Sequence, residues 1–475
     1  MIFREQYGSH FPPYDPHGVF GYPGVIESFM HAFNFLLVKE ASYTRLCSTK
    51  NILTVNGQFP GPTIYAKKGE TIIVDVYNRG KENITIHWHG VNMPRYPWTD
   101  GPEYITQCPI QPGSKFSQKI ILSSEEGTLW WHAHSDWTRA TVHGAIIVYP
   151  KNGTKYPFPK PNAEIPIILG QWWKSDVNAV RDEGLATGAD PNASDSLLIN
   201  GQPGDLYPCS KSVDHGKTYL LRIINAALHE ALFFSIAKHK MTVVGTDGSY
   251  TKPLTRDYIT IYPGQTFDVL LEANQLPDHY YMAAKTYSIA PVAQNFYDNT
   301  TTTAIVQYRG YYTPSSPLSL PHFPAYNDTN ASVQGPMGRD SPQRSTTSVR
   351  FYQLIIFPLE YQTPEIGTEV RVLEYNSTVE IVFQGTNLVA GTHHPMHLHG
   401  YSFYLVGWGF GNFDKIGTLC AIIWWILPFR VPSPFLRMVG CNQIRGIQPW
   451  SVVHALPCRT PCDLGHGNCV HSEKW

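Results

Sequence analysis

The feature that most constrains this chain is a two-residue spacing between histidines that occurs three times. It is found in His394-Pro395-Met396-His397-Leu398-His399-Gly400, in His87-Trp88-His89-Gly90 and in His132-Ala133-His134-Ser135. Each motif adjoins a short apolar run of the kind found at the end of a β-strand. Alternate side chains of a strand share one face and stand about 7 Å apart. Both histidines of each pair are therefore expected to point the same way.

Three such pairs would supply six imidazoles, whereas one pair alone would more often be two ordinary half-buried histidines. Imidazole ligands without acidic groups or a cysteine quartet suit copper or zinc, and six of them with a seventh favour several copper ions. The seventh candidate precedes a proline, which holds its backbone extended or turned. The predicted metal ligands are His87, His89, His132, His134, His394, His397 and His399.

The distribution of short strands predicts the fold class. From Tyr43 to Tyr149 the sequence reads as short strands separated by Gly/Pro turns, which is typical of a Greek-key sandwich of the cupredoxin kind. A second series of strands runs from about Ile165 to Tyr308, and strand-like sequence returns at Gly367 after a stretch without periodicity. We predict an all-β protein of three consecutive cupredoxin-like Greek-key β-sandwich domains, of which the third is incomplete.

Length and charge set the remaining bounds. With 475 residues the chain is long enough for two to four domains. The formal net charge of −1 gives no reason to expect nucleic acid or an anionic membrane as a partner. The apolar run from Ala421 to Leu427 is too short to span a membrane. We expect a monomer that acts on small molecules.

Glycosylation signals point to secretion. Seven N-x-[ST] triplets are present, at Asn83, Asn152, Asn192, Asn299, Asn327, Asn330 and Asn376. Two or three could arise by chance in a threonine-rich chain, but seven suggest a secreted glycoprotein. No secretory signal opens the sequence. Either the leader is missing from this version or the protein stays inside the cell, and we favour the first.

Several other residues next to or between the motifs have plainer interpretations. Trp88 and Trp131, beside candidate ligands, are expected to pack and keep the pocket dry. His143 lies on an apolar strand and is expected in the core. Four scattered histidines with polar neighbours are expected to be exposed: His215, His229, His239 and His279.

The three histidine motifs, in this order, resemble three of the four copper-binding segments of multicopper oxidases. The flanking stretches LTVNGQFPGPTI, TDGPEYITQCPI, DSLLINGQPG and YPGQTFDVLLEAN are similar to those of plant laccases. The resemblance spans about Ala32 to Lys415. It implies an extension outside the family (1–31), a first cupredoxin domain with copper ligands (32–151), and a second that helps form the substrate pocket (160–311). After these come a linker with a damaged segment (312–366), a partial third domain with copper ligands (367–415) and an aberrant tail (416–475).

The resemblance also implies roles for the histidines toward four copper ions, one of type 1, one of type 2 and a type 3 pair. His87 and His397 would bind the type 2 copper, and His394 would be one ligand of the type 1 copper. The type 3 pair would receive four ligands: His89, His132, His134 and His399. In the family, such a centre oxidises phenols and hydroquinones, including monolignols and lignin, and reduces O₂ to water.

Two acids and three cysteines gain expected roles from the resemblance. Asp100 matches an acid that feeds protons to the copper cluster, and Asp247 matches one that accepts a phenol proton. The alternative for each is an ordinary turn aspartate. Cys47 would pair with Cys209, and Cys108 with a cysteine near the chain end. Free buried thiols are the alternative for these cysteines.

The tail departs from the family pattern. A laccase needs a fourth segment with a Cys between two histidines, a further His five residues after the Cys, and Met or Leu five beyond that. Nothing from Lys415 to Trp475 matches this pattern. A zinc site is a weak alternative, from Cys458, Cys462, His466, Cys469 and His471.

The genetic code offers a better account of the tail. Val453 to Trp475, back-translated and read one nucleotide later, can give His-Cys-His, a His five residues after the Cys and a Met ten after it. We predict that the tail is an out-of-frame reading of a laccase end. The chain as written is then expected to be inactive, because it lacks the type 1 cysteine and two type 3 ligands.

Three functions remain in competition. The first is a laccase-type phenol oxidase of the plant cell wall and apoplast, represented by a damaged or mispredicted sequence. The second is a catalytically dead cupredoxin-fold wall protein, which seven intact ligands in three motifs disfavour. The third is a relative that oxidises ascorbate or a metal ion. A simple copper-storage or zinc protein is disfavoured because the ligands come from distant segments.

Overall fold

The computed structural model describes residues 32–94, 96–204, 211–289, 297–333, 379–384, 394–401, 403–410, 435–438 and 449–455. Within these residues the chain consists mainly of β-strands, with two short α-helices and two 3-10 helices. The all-β prediction is confirmed. No helix in the described part of the chain has the length and apolar character needed to cross a membrane.

Eight strands form the first unit. In chain order they are β1 (Ala32–Arg45), β2 (Ser48–Val55), β3 (Ile64–Lys67), β4 (Thr71–Asn78), β5 (Ile86–His89), β6 (Lys115–Ile121), β7 (Gly127–Ala133) and β8 (His143–Tyr149). One sheet has the order β2-β1-β4-β6, and the other has the order β3-β8-β7-β5. Strand β4 buries every second residue, Ile72, Val74 and Val76 among them, because one face packs in the core and the other meets solvent.

The core between these two sheets contains the tryptophans of the histidine motifs. Trp88 and Trp131 are fully buried there with Ile72 and Val74, which confirms their predicted packing role. His143 is 1% exposed, as predicted for a core histidine. Its Nδ1 lies 2.7 Å from the carbonyl oxygen of Arg139, and burial lowers its pKa to about 4.

Eleven strands form the second unit. They are β9 (Ala163–Trp172), β10 (Ser196–Ile199), β11 (Lys211–Val213), β12 (Thr218–Asn225), β13 (Ala231–Ile236), β14 (Met241–Thr246), β15 (Ser249–Arg256), β16 (Tyr258–Ile261), β17 (Thr266–Glu272), β18 (His279–Tyr287) and β19 (Thr301–Tyr308). Their sheets have the orders β10-β9-β12-β17-β14-β15 and β11-β19-β18-β13-β16. A large apolar core lies between them, with Phe234, Phe267 and Leu221 fully buried.

A helix interrupts this second unit where only strands were predicted. It is α1 (Val177–Thr187), and the Asp176 carboxylate accepts hydrogen bonds from the N–H groups of its first turn. It ends at Gly188, whose φ of 68° is the left-handed conformation of a helix C-terminus. Arg181 Nη1 lies 2.8 Å from Asp136 Oδ2. The helix therefore contacts the 3-10 helix Asp136–Ala140, directly after the second histidine motif.

Strand β7, which carries His132, lies against the second unit. Thr128 Oγ1 donates to Asp268 Oδ1 at 2.5 Å, and the carbonyl oxygen of Thr128 accepts from Thr266 Oγ1 at 2.6 Å. Arg222 is fully buried and pairs with the same Asp268 oxygen at 3.0 Å. These bonds fix the strand of the second histidine motif against β17, in the neighbouring unit.

The third unit is described in part. Helix α2 (Thr329–Val333) precedes the strands β20 (Val379–Gln384), β21 (His394–His397), β22 (Phe403–Phe410), β23 (Phe435–Met438) and β24 (Pro449–Ala455). One sheet has the order β20-β24-β22, and β21 pairs with β23. The prediction that the third histidine motif lies at a strand end agrees with β21, which ends at His397 and is followed by a turn.

The four scattered histidines do not all match their predicted exposure. His215 is exposed, whereas His229 and His279 are half-buried. The prediction is wrong for His239, which is 3% exposed. Its Nδ1 lies 2.7 Å from the Ala237 carbonyl oxygen and its Nε2 lies 2.8 Å from Tyr308 Oη. Both ring nitrogens thus have protein partners, which lets a polar ring lie in the core.

Candidate metal centre

The first two histidine motifs lie side by side on paired strands. Strands β5 and β7 are antiparallel, and their register places His87 opposite His132 and Trp88 opposite Trp131. Because side chains alternate along a strand, the two tryptophans point into the core and the histidines point to the other face. The centroids of the His87 and His132 rings are 5.3 Å apart, and His89 Nδ1 lies 3.2 Å from His132 Nε2.

Two hydrogen bonds hold the segment of His134, the fourth histidine of the first two motifs, in place. His134 lies just beyond β7, and its N–H donates to the carbonyl oxygen of Thr85 at 3.0 Å. The Thr85 N–H in turn donates to Ser135 Oγ at 2.8 Å. The centroid of the His134 ring is 5.5 Å from that of His87. The end of β7 is thereby tied to the start of the first motif.

The third motif meets the first two across a large separation in sequence. His397 Nε2 lies 3.3 Å from His87 Nε2, and the His397 ring stacks on His89 with centroids 3.8 Å apart. The centroid of the His399 ring lies 4.2 Å from that of His87 and 5.4 Å from that of His134. The structure therefore brings six of the seven predicted ligands together. His394 lies in β21, and its side chain is outside what the structure describes.

Asp100 joins the first and third motifs. It follows the 3-10 helix Pro97–Thr99 and is 4% exposed. Its Oδ2 lies 2.8 Å from His399 Nδ1, and its Oδ1 lies 3.3 Å from His87 Nδ1. His87 Nδ1 also lies 2.6 Å from the Asp100 carbonyl oxygen. One residue therefore contacts histidines that are far apart in the chain.

Electrostatics at Asp100 favour the carboxylate form. Burial by itself raises the pKa of Asp100, but attraction to His87 and hydrogen bonds from His399 and His87 outweigh it and hold the pKa far below its ordinary range. Burial lowers the pKa of His87, helped by the nearby charge of His399. A neutral imidazole keeps one nitrogen lone pair, which is the form that binds a metal ion.

Trp130, which was not singled out from the sequence, lies against the site. Its ring centroid is 4.3 Å from that of His132 and 5.3 Å from that of His89. Trp130 is 1% exposed. The sequence signal that could have revealed it is its two-residue spacing from His132, which places both side chains on one face of β7.

The donor set fits copper or zinc. Two groups have ligand atoms within 4.8 Å of one another in the described residues: His87, His89 and His397, and His87, Asp100 and His399. Imidazole nitrogens suit copper and zinc, whereas magnesium and calcium take oxygen ligands. The Nε2 atoms of His87 and His397 are 3.3 Å apart. That separation allows both atoms to bind one ion, each at about 2.0–2.1 Å.

Asp247 lies in a tight hairpin between β14 and β15. It is 6% exposed, with a φ of 48°. Its Oδ1 accepts from the Thr266 N–H at 2.8 Å, and its Oδ2 lies 3.0 Å from Thr246 Oγ1. The Thr266 contact ties the Asp247 carboxylate to β17, 19 positions along the chain. Its role toward a phenol stays a prediction.

Another buried acid, Glu230, was not singled out from the sequence. Glu230 is 3% exposed, and burial raises its pKa to about 8 against an opposing hydrogen bond from the Asp298 N–H. His229 Nε2 lies 3.6 Å from Glu230 Oε1. The sequence signal for its burial was the position of a charged residue inside the largely apolar run between Ile223 and Ile236.

The cysteine predictions lie partly outside the described residues. Cys47 and Cys108 are both exposed. Cys209, the expected partner of Cys47, is outside the described residues, as are all cysteines of the tail. The pairing of Cys47 with Cys209 therefore stays a prediction.

Comparison with protein families matches three segments of the chain. Models described as multicopper oxidase match residues 37–153, 163–311 and 328–419. Among solved structures, the laccase from Botrytis aclada has a TM-score of 0.67 at 24% identity and covers 89% of this chain and 82% of its own. Fet3p, a multicopper oxidase that functions in iron import, has a TM-score of 0.60 at 20% identity, with 89% and 85% covered. These likenesses support the fold, and the predicted series of cupredoxin-like β-sandwiches is confirmed.

Curated relatives are more similar in sequence. Laccase-14 of Arabidopsis thaliana is 45% identical over 471 residues, which cover 82% of this chain and 81% of the relative. Laccase-21 of Oryza sativa subsp. japonica is 45% identical over 469 residues, covering 79% and 80%. The resemblance read from the histidine motifs is confirmed, and the chain belongs to the plant laccases, copper-dependent oxidoreductases of the multicopper oxidase family.

Proposed function

We propose that the six clustered histidines hold the oxygen-reducing coppers of a phenol oxidase. The observation that carries the proposal is the convergence of three distant motifs, with His87 Nε2 3.3 Å from His397 Nε2. His87 and His397 would hold the type 2 copper. The type 3 pair would receive four ligands: His89, His132, His134 and His399. Copper ions supply one-electron redox chemistry, which lets electrons from successive phenols be combined for the four-electron reduction of O₂.

The protein's own residues would orient the ligands and handle protons. Asp100 holds His87 and His399 through their Nδ1 atoms, so Nε2 would be the metal-binding atom of each ring. As a carboxylate beside the cluster it would also pass protons toward the oxygen being reduced. The Trp130 ring lies tilted against two of the ligands, His132 and His89, and would exclude water from one side.

We further propose that a protein of these 475 residues cannot complete the reaction. No His-Cys-His triplet occurs in the stretch from Lys415 to Trp475. His394 would be a type 1 ligand without its cysteine, and the path that carries electrons from phenol to the cluster would be missing. This observation also favours a second candidate function, a copper-binding wall protein without oxidase activity.

The natural substrates and location follow the family in this proposal. We propose secretion to the apoplast and action on lignin phenols. Support comes from the glycosylation triplets: five of the seven have an exposed asparagine in the described residues, at Asn83, Asn152, Asn192, Asn299 and Asn327. Expression through a plant secretory pathway, followed by glycosidase treatment, tests this. A secreted product whose mass does not change on treatment contradicts it.

A matched pair of proteins tests the oxidase proposal. The full chain and a chimera, in which residues 416–475 are replaced by the corresponding segment of Laccase-14 of Arabidopsis thaliana, are loaded with copper and assayed with a phenol. The full chain is expected to bind copper without a blue absorption band or phenol oxidation, and the chimera to gain both. The His397→Gln variant of the chimera is the control and should lose oxidation. A blue, active full chain, or a copper-free chimera, contradicts the proposal.

A further inference from the structure

A buried glutamine joins the two backbone segments that meet at His87. Gln118 lies in β6 and is fully buried. Its Nε2 donates to the carbonyl oxygen of Ile86 at 3.0 Å and to that of Thr99 at 2.9 Å. Ile86 immediately precedes His87, and Thr99 immediately precedes Asp100. One side-chain amide thus holds the peptide groups in front of both residues.

Chemistry fixes which way this amide points. The two closest partners are backbone carbonyl oxygens, which only accept, so the NH₂ group of Gln118 has to face them. The same Nε2 also lies 3.4 Å from Gln107 Oε1. The Oε1 atom of Gln118 is buried without a hydrogen-bond partner in the described residues. An unsatisfied buried oxygen lowers stability. A glutamine here is therefore poorly explained by sheet stability alone.

The position of the loop held by Gln118 decides the state of His87. Because the Asp100 carbonyl oxygen only accepts, His87 Nδ1 carries the proton of their 2.6 Å bond. A neutral imidazole has one donor and one acceptor nitrogen, so Nε2 keeps its lone pair. That Nε2 faces His397 Nε2 at 3.3 Å. A loop displaced from the strand would free His87 to adopt the other tautomer.

Two further contacts keep the loop against the strand. A Cβ at Gly101, where φ is +115°, would lie 2.6 Å from the Ile86 carbonyl oxygen and 2.7 Å from His87 Cα. Only glycine allows so close an approach. Thr99 Oγ1 donates to the Lys119 carbonyl oxygen at 2.9 Å. The loop is thus attached to β6 at two points and rests directly on β5.

We propose that Gln118 is a positioning residue, which sets the tautomer of His87 and the placement of Asp100 between His87 and His399. It acts through the backbone carbonyls of Ile86 and Thr99. Its effect on metal binding rests on the proposed function of the site, whereas its effect on the tautomer does not.

Histidine side-chain ¹⁵N NMR of the metal-free full chain, combined with copper(II) titration, tests the proposal. Gln118→Met keeps the length of the side chain without a donor, and Gln118→Leu removes the donor with a shorter apolar side chain. Gln171→Met is the matched control, because Gln171 is 3% exposed and bonds to Ser194 and Leu228 in the second unit. Wild type and the control are expected to carry the His87 proton on Nδ1.

In both Gln118 variants we expect the Nε2-protonated form of His87 to appear. We also expect copper affinity to fall about 10- to 100-fold, as it does when a metal-binding histidine loses the hydrogen-bond partner of its other ring nitrogen. A folded Gln118 variant with an unchanged His87 tautomer overturns the proposal. So does a wild-type His87 with its proton on Nε2, an outcome that needs no variant to fold. A tautomer change in a protein that binds no copper supports the positioning role and contradicts the metal site.

Discussion

His87 and His397 are 310 positions apart in the chain, yet their Nε2 atoms lie 3.3 Å apart. The bond of His87 Nδ1 to the Asp100 carbonyl oxygen leaves a lone pair on His87 Nε2. A buried acceptor nitrogen is stabilised by a donor or a cation. The pair is therefore the most direct sign of a metal site, and its neighbours allow several predictions.

Asp100→Asn should weaken the fold more than an ordinary surface change. The amide can still accept from His399, but its NH₂ would face the protonated Nδ1 of His87. We expect a loss of about 1–3 kcal/mol in the free energy of unfolding near neutral pH, measured by urea denaturation. Asp257→Asn is the control, because Asp257 is exposed and its carboxylate pairs with exposed Lys240. Equal effects of the two substitutions would contradict the account.

The same variant has a predicted pH dependence. The pKa of Asp100 in the folded protein is held below its ordinary value. Its carboxylate therefore contributes stability above about pH 4, and this contribution is lost as the pH falls. Wild type should lose more stability than Asp100→Asn on acidification. Parallel stability curves for the two proteins would be the contrary result.

Gly101→Ala should be far more harmful than Gly113→Ala. Both glycines have positive φ, +115° and +83°, so both substitutions carry a backbone cost of about 1–2 kcal/mol. A Cβ at Gly113 meets nothing within 4 Å, whereas one at Gly101 meets the backbone of Ile86 and His87 at 2.6–2.8 Å. We expect Gly101→Ala to cost at least about 2 kcal/mol more in thermal unfolding. Similar melting temperatures would show that the loop can move away from β5 freely.

Glu230→Gln should make the protein more stable in mildly alkaline solution. The pKa of buried Glu230 is raised to about 8, so between its ordinary value and 8 the unfolded chain loses a proton that the folded chain keeps. The free energy of unfolding then falls as the pH rises through this range, by about 5 kcal/mol. The glutamine oxygen can still accept from the Asp298 N–H. Unfolding titrations at several pH values check this, with exposed Glu183→Gln as the control, and a pH profile unchanged by Glu230→Gln contradicts it.

Local patterns were sufficient for the strands and for the faces of the histidine pairs. The alternation in β4 and the His-x-His spacing of β5 follow from the two-residue period of a strand. Helix α1 was missed although Asp176 and Gly188 are ordinary end signals. The burial of His239 was missed because its partner Tyr308 is 69 positions away.

The geometry of the site depends on tertiary contacts that no local pattern contains. Asp100 could be read as a turn residue, and only the approach of His399, 299 positions away, makes it a bridge between two motifs. Gln118 belongs to no sequence motif, since its two closest partners are backbone carbonyls of other segments. The sequence identifies residue types suited to copper, whereas distances between them arise from how the units pack.

Copper titration of the full chain with His87→Gln, His397→Gln and the double variant tests the central claim most directly. If the three motifs form one centre, each single variant lowers copper affinity by about tenfold or more. The copper affinity of the double variant is then only slightly lower than that of either single variant. His215→Gln, at an exposed position, should leave affinity unchanged. Unchanged affinity in either single variant, or two independent losses that add in full, would contradict a shared metal site.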